Sequence, residues 1–395
     1  MKLKLFLLAT SAVALASCSS DAVVEDQQAD NAIQFGVTTG NASRAASYYC
    51  NNDKPAQFNV WAKVKQGDAF KTYFENESFV KKTDAATWTI ASGVERYWPN
   101  EEISFYAAKN DDKDGAEFAT VNWNSGAPTI DMTVRTEASK QEDLLYAYTV
   151  TSKTGSMVAG TKNKAVANLN FRHALSQVVF KAQNKNKNIY VEISEVQVAN
   201  LNTKGTFTFP TEVTNDNLQD HDQKGDLSTK TGIGSWAGQS VPAATTTTGV
   251  FTAVEALGDG VVVNLTNNEG TEKANIVNSL IVLPQTLAAW DHAAAPSTTG
   301  AYFKVKCLIK NVAAGNGTKA TADDVTLYNN YIYIPVNVAW EVGKKYIYTF
   351  VFSEKGHGGY DEDGNDVLIP IEFNVTVDDF AKGVDANVDA DNGNA

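Results

Sequence analysis

Histidine and cysteine are scarce in this chain, at four and three of 395 residues. His173, His221, His292 and His357 are scattered, with no His-x-x-x-His spacing and no Cys-x-x-Cys pair, so the usual zinc frameworks are missing. Two other signatures are absent: the Gly-x-Ser-x-Gly turn that presents a nucleophile, and a glycine loop that cradles phosphate before a helix. No cofactor and no catalytic machinery are implied. Positive charge is also short. Lys and Arg number 33 against 46 acids, a net charge of −13, which argues against nucleic acid and anionic lipid as partners. Beyond the N-terminus no run is long and apolar enough to cross a membrane.

The one early apolar run, Leu5 to Ala16, follows Lys2 and Lys4. A span needs ~20 apolar residues, so this run has the form of a secretory signal, residues 1–17. Its end, Leu15-Ala16-Ser17-Cys18, matches the lipobox of bacterial lipoproteins. Small side chains fit a narrow peptidase groove, and the Cys18 sulfur would carry the diacylglycerol thioether. Cys18 is then the expected mature N-terminus, held in a bilayer by its acyl chains. Loss of two lysines takes the net charge from −13 to −15. Cys50 and Cys307 remain. An oxidising compartment permits their pairing. Yet Cys307 shares the alternating face of Phe303, Val305 and Ile309, like a small core hydrophobe, and the expectation is two free thiols.

What the chain has in quantity is aromatic residues, threonine, valine and glycine, without helical periodicity. Residues 19–30 are small and acidic, a solvated tether. In "NAIQFGVTTG", Ile33, Phe35 and Val37 alternate with polar or small residues, the signature of a half-buried strand. The polar "NASRAAS" follows and contains Arg44. A dozen or so short strand candidates come next. One face of "FNVWAKVK" carries Phe58, Val60, Ala62 and Val64. Apolar alternation shifts from Val191/Ile193 to Val196/Val198, which predicts a bulge. The last strand sets Ile369, Ile371, Phe373, Val375 and Val377 on one face. This predicts an all-β chain, most simply two sandwiches. The polar "QNKNKN" (183–188) is the expected divide, giving units 45–185 and 186–395 after the segment 18–44.

Few residues suggest chemistry. His173 in "FRHALSQ" opens a strand and suits a structural hydrogen bond. Asp361, Asp363, Asn365 and Glu372 fall at positions 1, 3, 5 and 12 of a calcium loop. Position 6 holds Asp366 where the turn demands glycine, and the flanks are strands, so a polar hairpin turn is the expectation and no metal is assigned. Trp236 and Trp290 lie in loop-like stretches where they could stack on sugar rings or pack against a sandwich. Arg44 is the only Lys or Arg between Lys4 and Lys54. It is either an ordinary surface arginine or the single site at which a trypsin-like protease cuts this segment.

Several stretches, in this order, resemble the fimbrillins, type V pilus subunits that anaerobic Gram-negative bacteria export as lipoproteins. They are "AIQFGVTTGNASRA", "YWPNEEISFYAAKN", "LNFRHALSQVVFKAQ", "SLIVLPQTL" and "WEVGKKYIYTFVF…LIPIEFNVTVDDF", from about residue 31 to 380. The resemblance implies two tandem transthyretin-like, Greek-key sandwiches. It implies a lipoprotein precursor at the outer membrane, cut after Arg44 by a trypsin-like protease to leave Ala45 as the new start. The strand bearing Ile33, Phe35 and Val37 would be lost, and a strand from another fimbrial subunit would fill its place. The chain would then reside in a surface fimbria and meet a host or bacterial surface ligand. Residues 381–395 are acidic with only small alternating side chains, a poor donor strand. Three options stand: "VLIPIEFNVTV" takes part in donation, the tail donates weakly, or the subunit does not donate. The rival functions are a surface-anchored glycan-binding lipoprotein and, lower, a secreted hydrolase using carboxylates.

Overall fold

Alternating apolar residues become strands through most of the chain. The computed structural model describes residues 31–39, 55–81, 86–111, 118–123, 127–157, 165–211, 233–240, 249–252, 263–265, 274–293, 300–312, 324–354, 358–369 and 371–379. Among the described residues are 22 β-strands, two single-turn 3-10 segments (Ala138–Lys140 and Thr154–Ser156) and no α-helix. No helix there is long and apolar enough to cross a membrane.

The first nine strands are β1 (Gln34–Thr39), β2 (Gln57–Gln66), β3 (Ala69–Lys81), β4 (Trp88–Ile90), β5 (Ile103–Lys109), β6 (Ala119–Asn122), β7 (Thr129–Thr133), β8 (Leu145–Thr151) and β9 (Val166–His173). Seven of them close into a barrel in the order β1-β4-β3-β2-β5-β8-β9. The neighbours β5-β2-β3-β4 form a Greek key, since β5 returns to lie beside the first strand of a meander. A closed barrel therefore stands where a two-sheet sandwich was expected. Closure rests on β1, which bridges β4 and β9. Inside are Phe58, Val60, Ala62, Phe74, Phe79, Trp88, Phe105, Leu169 and Phe171.

The remaining strands are β10 (Ser176–Asn184), β11 (Ile189–Leu201), β12 (Lys204–Thr208), β13 (Ser235–Ser240), β14 (Gly249–Thr252), β15 (Val263–Leu265), β16 (Ala274–Val282), β17 (Thr286–Leu287), β18 (Tyr302–Asn311), β19 (Thr326–Pro335), β20 (Val338–Ala339), β21 (Lys344–Phe352) and β22 (Ile371–Asp379). Two sheets, β16-β10-β21-β22 and β14-β11-β18-β19, face each other across one core. Phe180 of β10 meets Phe303 of β18 at 5.1 Å between ring centroids, and Phe303 meets Tyr348 of β21 at 4.7 Å. The β11–β18 register slips between Ile193 and Glu195, where the alternation shifts in sequence. Cys307 is buried and free on the inward face with Phe303, Val305 and Ile309, and burial pushes its thiol up to about 12. Cys50 lies outside the described residues.

A third sheet, β13-β12-β7-β6, ties the two systems together. Its Ile130, Met132 and Phe207, with the neighbouring Phe209, share a core with Trp61, Tyr106 and Tyr146 from the barrel's outer side. This explains why β2 is buried on both faces, Lys63 included. Lys63 sits over the Trp123 ring at 4.4 Å, and burial lowers its pKa.

The strand order passes from barrel to sandwich between β9 and β10, at Ala174–Leu175. "QNKNKN" forms the tight turn between β10 and β11. Asn184 Nδ2 donates to the Ile189 carbonyl, and the side-chain oxygens of Asn184 and Asn186 accept the amides of Asn186 and Asn188. Polar residues that cap a turn have the same composition as a linker.

Candidate functional site

Strand β1 is the element that merits a functional account. Ile33, Phe35 and Val37 are 3%, 0% and 2% exposed inside the barrel. The Phe35 ring makes edge contacts with Phe79 at 4.7 Å, Phe105 at 5.0 Å and Phe58 at 6.0 Å. Burying three such side chains contributes roughly 5–9 kcal/mol in all.

The two sides of β1 are held unequally. On one side it runs parallel to β9 over six register pairs, Gln34↔Val166 to Thr39↔Phe171. On the other, the pairing to β4 is Phe35↔Trp88, supplemented by the Thr87 hydroxyl donating to Gln34 Oε1 at 3.1 Å. Parallel pairing joins residues far apart in the chain and needs no hairpin, so the strand's seat does not depend on a short connection.

Ahead of β1 the chain is clasped by the segment between β4 and β5. The Ile33 amide donates to the Arg96 carbonyl at 2.6 Å, and the Trp98 amide to the Asn31 carbonyl at 3.0 Å. The clasp is pinned from outside. Arg96 Nε donates to Glu77 of β3 at 3.0 Å, and the Tyr73 hydroxyl to the Tyr97 carbonyl at 2.6 Å. Burial raises the Tyr73 pKa, with Arg96 acting in the opposite sense, so this hydroxyl stays a donor at neutral pH. The clasp residues carried no signal in the sequence beyond the turn-like "YWPNE", because carbonyl acceptors are independent of side-chain identity.

One further close approach marks the seat. A Cβ built on Gly36 would lie 2.5 Å from Asn168 Oδ1 of β9. The register places these two residues side by side.

The other sequence candidates lie elsewhere. Cys18, Arg44 and Ala45 are outside the described residues, as are His221 and His357. His173 ends β9 rather than opening a strand, and its Nδ1 is paired with the buried Asp143 carboxylate. Asp361 takes the amides of Asp363 and Asn365 at 3.0 and 2.8 Å and the Asn365 side-chain amide at 3.0 Å. Those hydrogen bonds lower its pKa. The tight glycine of that turn is Gly364, φ +80°. Glu372 belongs to β22 and accepts the Ser353 hydroxyl at 3.0 Å. Among the described residues no group of three or more His, Cys, Asp or Glu could hold a metal ion.

The two tryptophans considered for sugar stacking are used by the fold. Trp290 is 2% exposed and packs on Tyr302 at 5.6 Å and Tyr333 at 5.8 Å. Trp236 is half-buried against Phe207 at 5.5 Å, and its Nε1 donates to the Ala174 carbonyl at 2.6 Å.

Solved structures of proposed cell adhesion proteins are similar to this chain. One from Bacteroides uniformis is 16% identical, with 89% of this chain and 98% of that one aligned at a TM-score of 0.42. One from Bacteroides ovatus is 13% identical over 88% and 97% of the two chains, TM-score 0.44. One from Parabacteroides distasonis is 11% identical over 89% and 99%, TM-score 0.41. No curated protein matches. The family model described as fimbrillin-like matches residues 43–377, and this chain belongs to the fimbrillin-like family.

Proposed function

We propose that this protein is a non-enzymatic structural or adhesive subunit of a cell-surface fimbria, exported as a lipoprotein through Cys18 and assembled by exchange of strand β1. Cys18 holds the precursor at the outer membrane. A trypsin-like protease cuts after Arg44, Ala45 becomes the new start, and β1 departs with the lipid. A strand from another fimbrial subunit then takes its place. The mature subunit lies in the fimbria, where a host or bacterial surface ligand is its outward partner.

The observation that carries this is the seat of β1. Ile33, Phe35 and Val37 are buried, and β1 bridges its barrel neighbours β4 and β9. Withdrawing it opens the barrel, bares Phe58, Phe79 and Phe105, and leaves the β9 ladder unpaired. An exposed ladder beside an apolar slit is a template for strand addition by another chain. Arg44 follows β1 by five residues, 39 to 44, so one cut there separates the strand from the remainder.

The test is the N-terminal mass of subunits from purified surface filaments, beside an Arg44→Ala variant. Filament subunits beginning at Ala45, and a variant that stays a lipidated monomer, are the expected results. Filaments of normal length from Arg44→Ala would overturn the proposal. A glycan-binding role loses its support with Trp236 and Trp290 packed into the protein.

A further inference from the structure

The sheet β16-β10-β21-β22 ends on β22, whose one bonded neighbour among the described strands is β21. Their ladder runs over nine residues, Phe352↔Ile371 to Lys344↔Asp379, without a register shift. Other sheet edges are shorter or irregular. Strand β6 has four residues, and the ladders that bind β13, β16 and β19 each slip once. Exposed edges are commonly guarded by proline, lysine or a bulge. Residues 371–379, Ile-Glu-Phe-Asn-Val-Thr-Val-Asp-Asp, carry none of these. The inward face is unevenly covered. Ile371 is 5% exposed and Phe373 is half-buried, whereas Val375 and Val377 are 49% and 52% exposed. One half of the strand is sheltered and the other is bare.

We propose that β22 pairs edge to edge with β22 of a neighbouring copy, antiparallel, about a two-fold axis through Asn374, while each strand keeps its place beside its own β21. This is a lateral contact between whole subunits. It rests on the cell-surface location in the proposed function, but it neither empties nor fills the seat of β1 and needs no strand exchange. A two-fold interface must be self-complementary, and β22 meets that demand. Antiparallel pairing lays the bare half of each strand along the sheltered half of the other. Val375 comes opposite the partner's Phe373, and Val377 opposite the partner's Ile371. The sandwich that shelters Ile371 and Phe373 in one copy then extends beside the bare valines of the other. Two four-stranded sheets become one sheet of eight strands.

Faces and charge select the register. Ile371 and Phe373 pack on the core, so odd-numbered residues of β22 face inward and even-numbered ones outward. A shared sheet must therefore set odd against odd and even against even. An axis through Asn374 sets Glu372 against Thr376 and Asn374 against its own counterpart, two carboxamides that each offer a donor and an acceptor. An axis through Val375 would oppose Glu372 to Asp378, two like charges, and Ile371 to Asp379. An axis through Phe373 would bring Pro370 opposite Thr376 and end the ladder before Val377. The contact is small, and a net charge of −13 opposes it in dilute solution. Copies held side by side on one surface meet at a far higher local concentration, and that is where the pairing operates.

Cysteine pairing on intact cells tests this. The full chain carries Asn374→Cys together with Cys50→Ser and Arg44→Ala, the last to keep strand exchange out of the result. Residues directly opposed on antiparallel strands have Cα atoms about 4.5–5.5 Å apart, within reach of a disulfide. Mild oxidation should give a dimer on a non-reducing gel, at least tenfold more than from Glu372→Cys or Thr376→Cys alone. The double variant Glu372→Cys/Thr376→Cys should match Asn374→Cys. A single control as strong as Asn374→Cys overturns the register, and no dimer from any variant overturns the pairing. Adding Val375→Lys to Asn374→Cys places an inward charge on the edge and should cut the dimer at least tenfold, with the amount of surface protein unchanged. An undiminished dimer would mean chance collision and would overturn the inference. Antibody labelling of the intact cells separates the two readings: chain that antibody does not reach sinks the surface location, and the pairing with it, whereas labelled chain without dimer sinks the pairing alone.

Discussion

Strands β1 and β22 share an Ile-x-Phe-x-Val-Thr sequence, yet Val37 is 2% exposed and its counterpart Val375 is 49% exposed. The side chains are the same, so the difference comes from the neighbours. Strand β1 is the last stave of a closed barrel, flanked on both sides, with Phe79 and Phe105 across its interior. Among the described strands, β22 ends an open sheet, with β21 on one side only. Closure confers burial on a pattern that an edge leaves half-wet.

Substituting the same residue type in both strands tests that contrast most strongly. In the uncleaved chain, Phe35→Ala should cost about 3–5 kcal/mol, and Phe373→Ala roughly half as much, by urea denaturation. Equal costs would mean that barrel closure adds nothing to the seat of β1. A smaller effect concerns the clasp. The Arg96–Glu77 pair is partly exposed, with side chains 37% and 17% accessible, so Arg96→Ala should lower global stability by less than about 1 kcal/mol. Amide exchange at Ile33 should nonetheless speed up several-fold, whereas the β22 amides should not change; an unaffected Ile33 would show that the carbonyl of Arg96 needs no pin.

Val377→Thr, on the exposed half of β22, should shift monomer stability by no more than about 0.5 kcal/mol, and a larger loss would mean that this end of the strand is covered in solution. The smallest effect is in the sheet that links the two regions. Asp131 accepts the Thr206 hydroxyl at 2.6 Å and the Asn122 amide at 2.8 Å, and these bonds lower its pKa from 3.8. A depressed carboxylate stabilises the fold above its unfolded value and loses that contribution as pH falls through its folded one. The melting temperature should drop slightly below about pH 4, and Asp131→Asn should flatten that acid limb. An unchanged limb would assign the acid sensitivity to other carboxylates.

Much of the fold was legible because strand alternation is local. The inward face of Ile33, Phe35 and Val37, the bulge between Ile193 and Glu195, and the core position of Cys307 each follow from residues a few places apart. Apart from the placing of His173 at the end of β9, the differences concern partners. "QNKNKN" looked like a linker and is a turn, since the same asparagines satisfy either context. Trp290 sat in a loop-like stretch and is buried by Tyr302 and Tyr333, which follow it by 12 and 43 residues as the numbering shows. Val375 and Val377 alternated like core residues and lie at an edge.

By itself the sequence determined that the chain is all-β, where about a dozen of its strands fall, and which side of most of those is apolar, because a two-residue period is written along the backbone. Tertiary structure alone decided that β1 closes a barrel against β9, more than 120 residues onward in the numbering, and that Arg96 and Trp98 clasp its entry. Hydrogen-bond ladders join backbone groups that every residue shares, so pairing over such distances leaves no mark on composition and is settled only when the whole core packs.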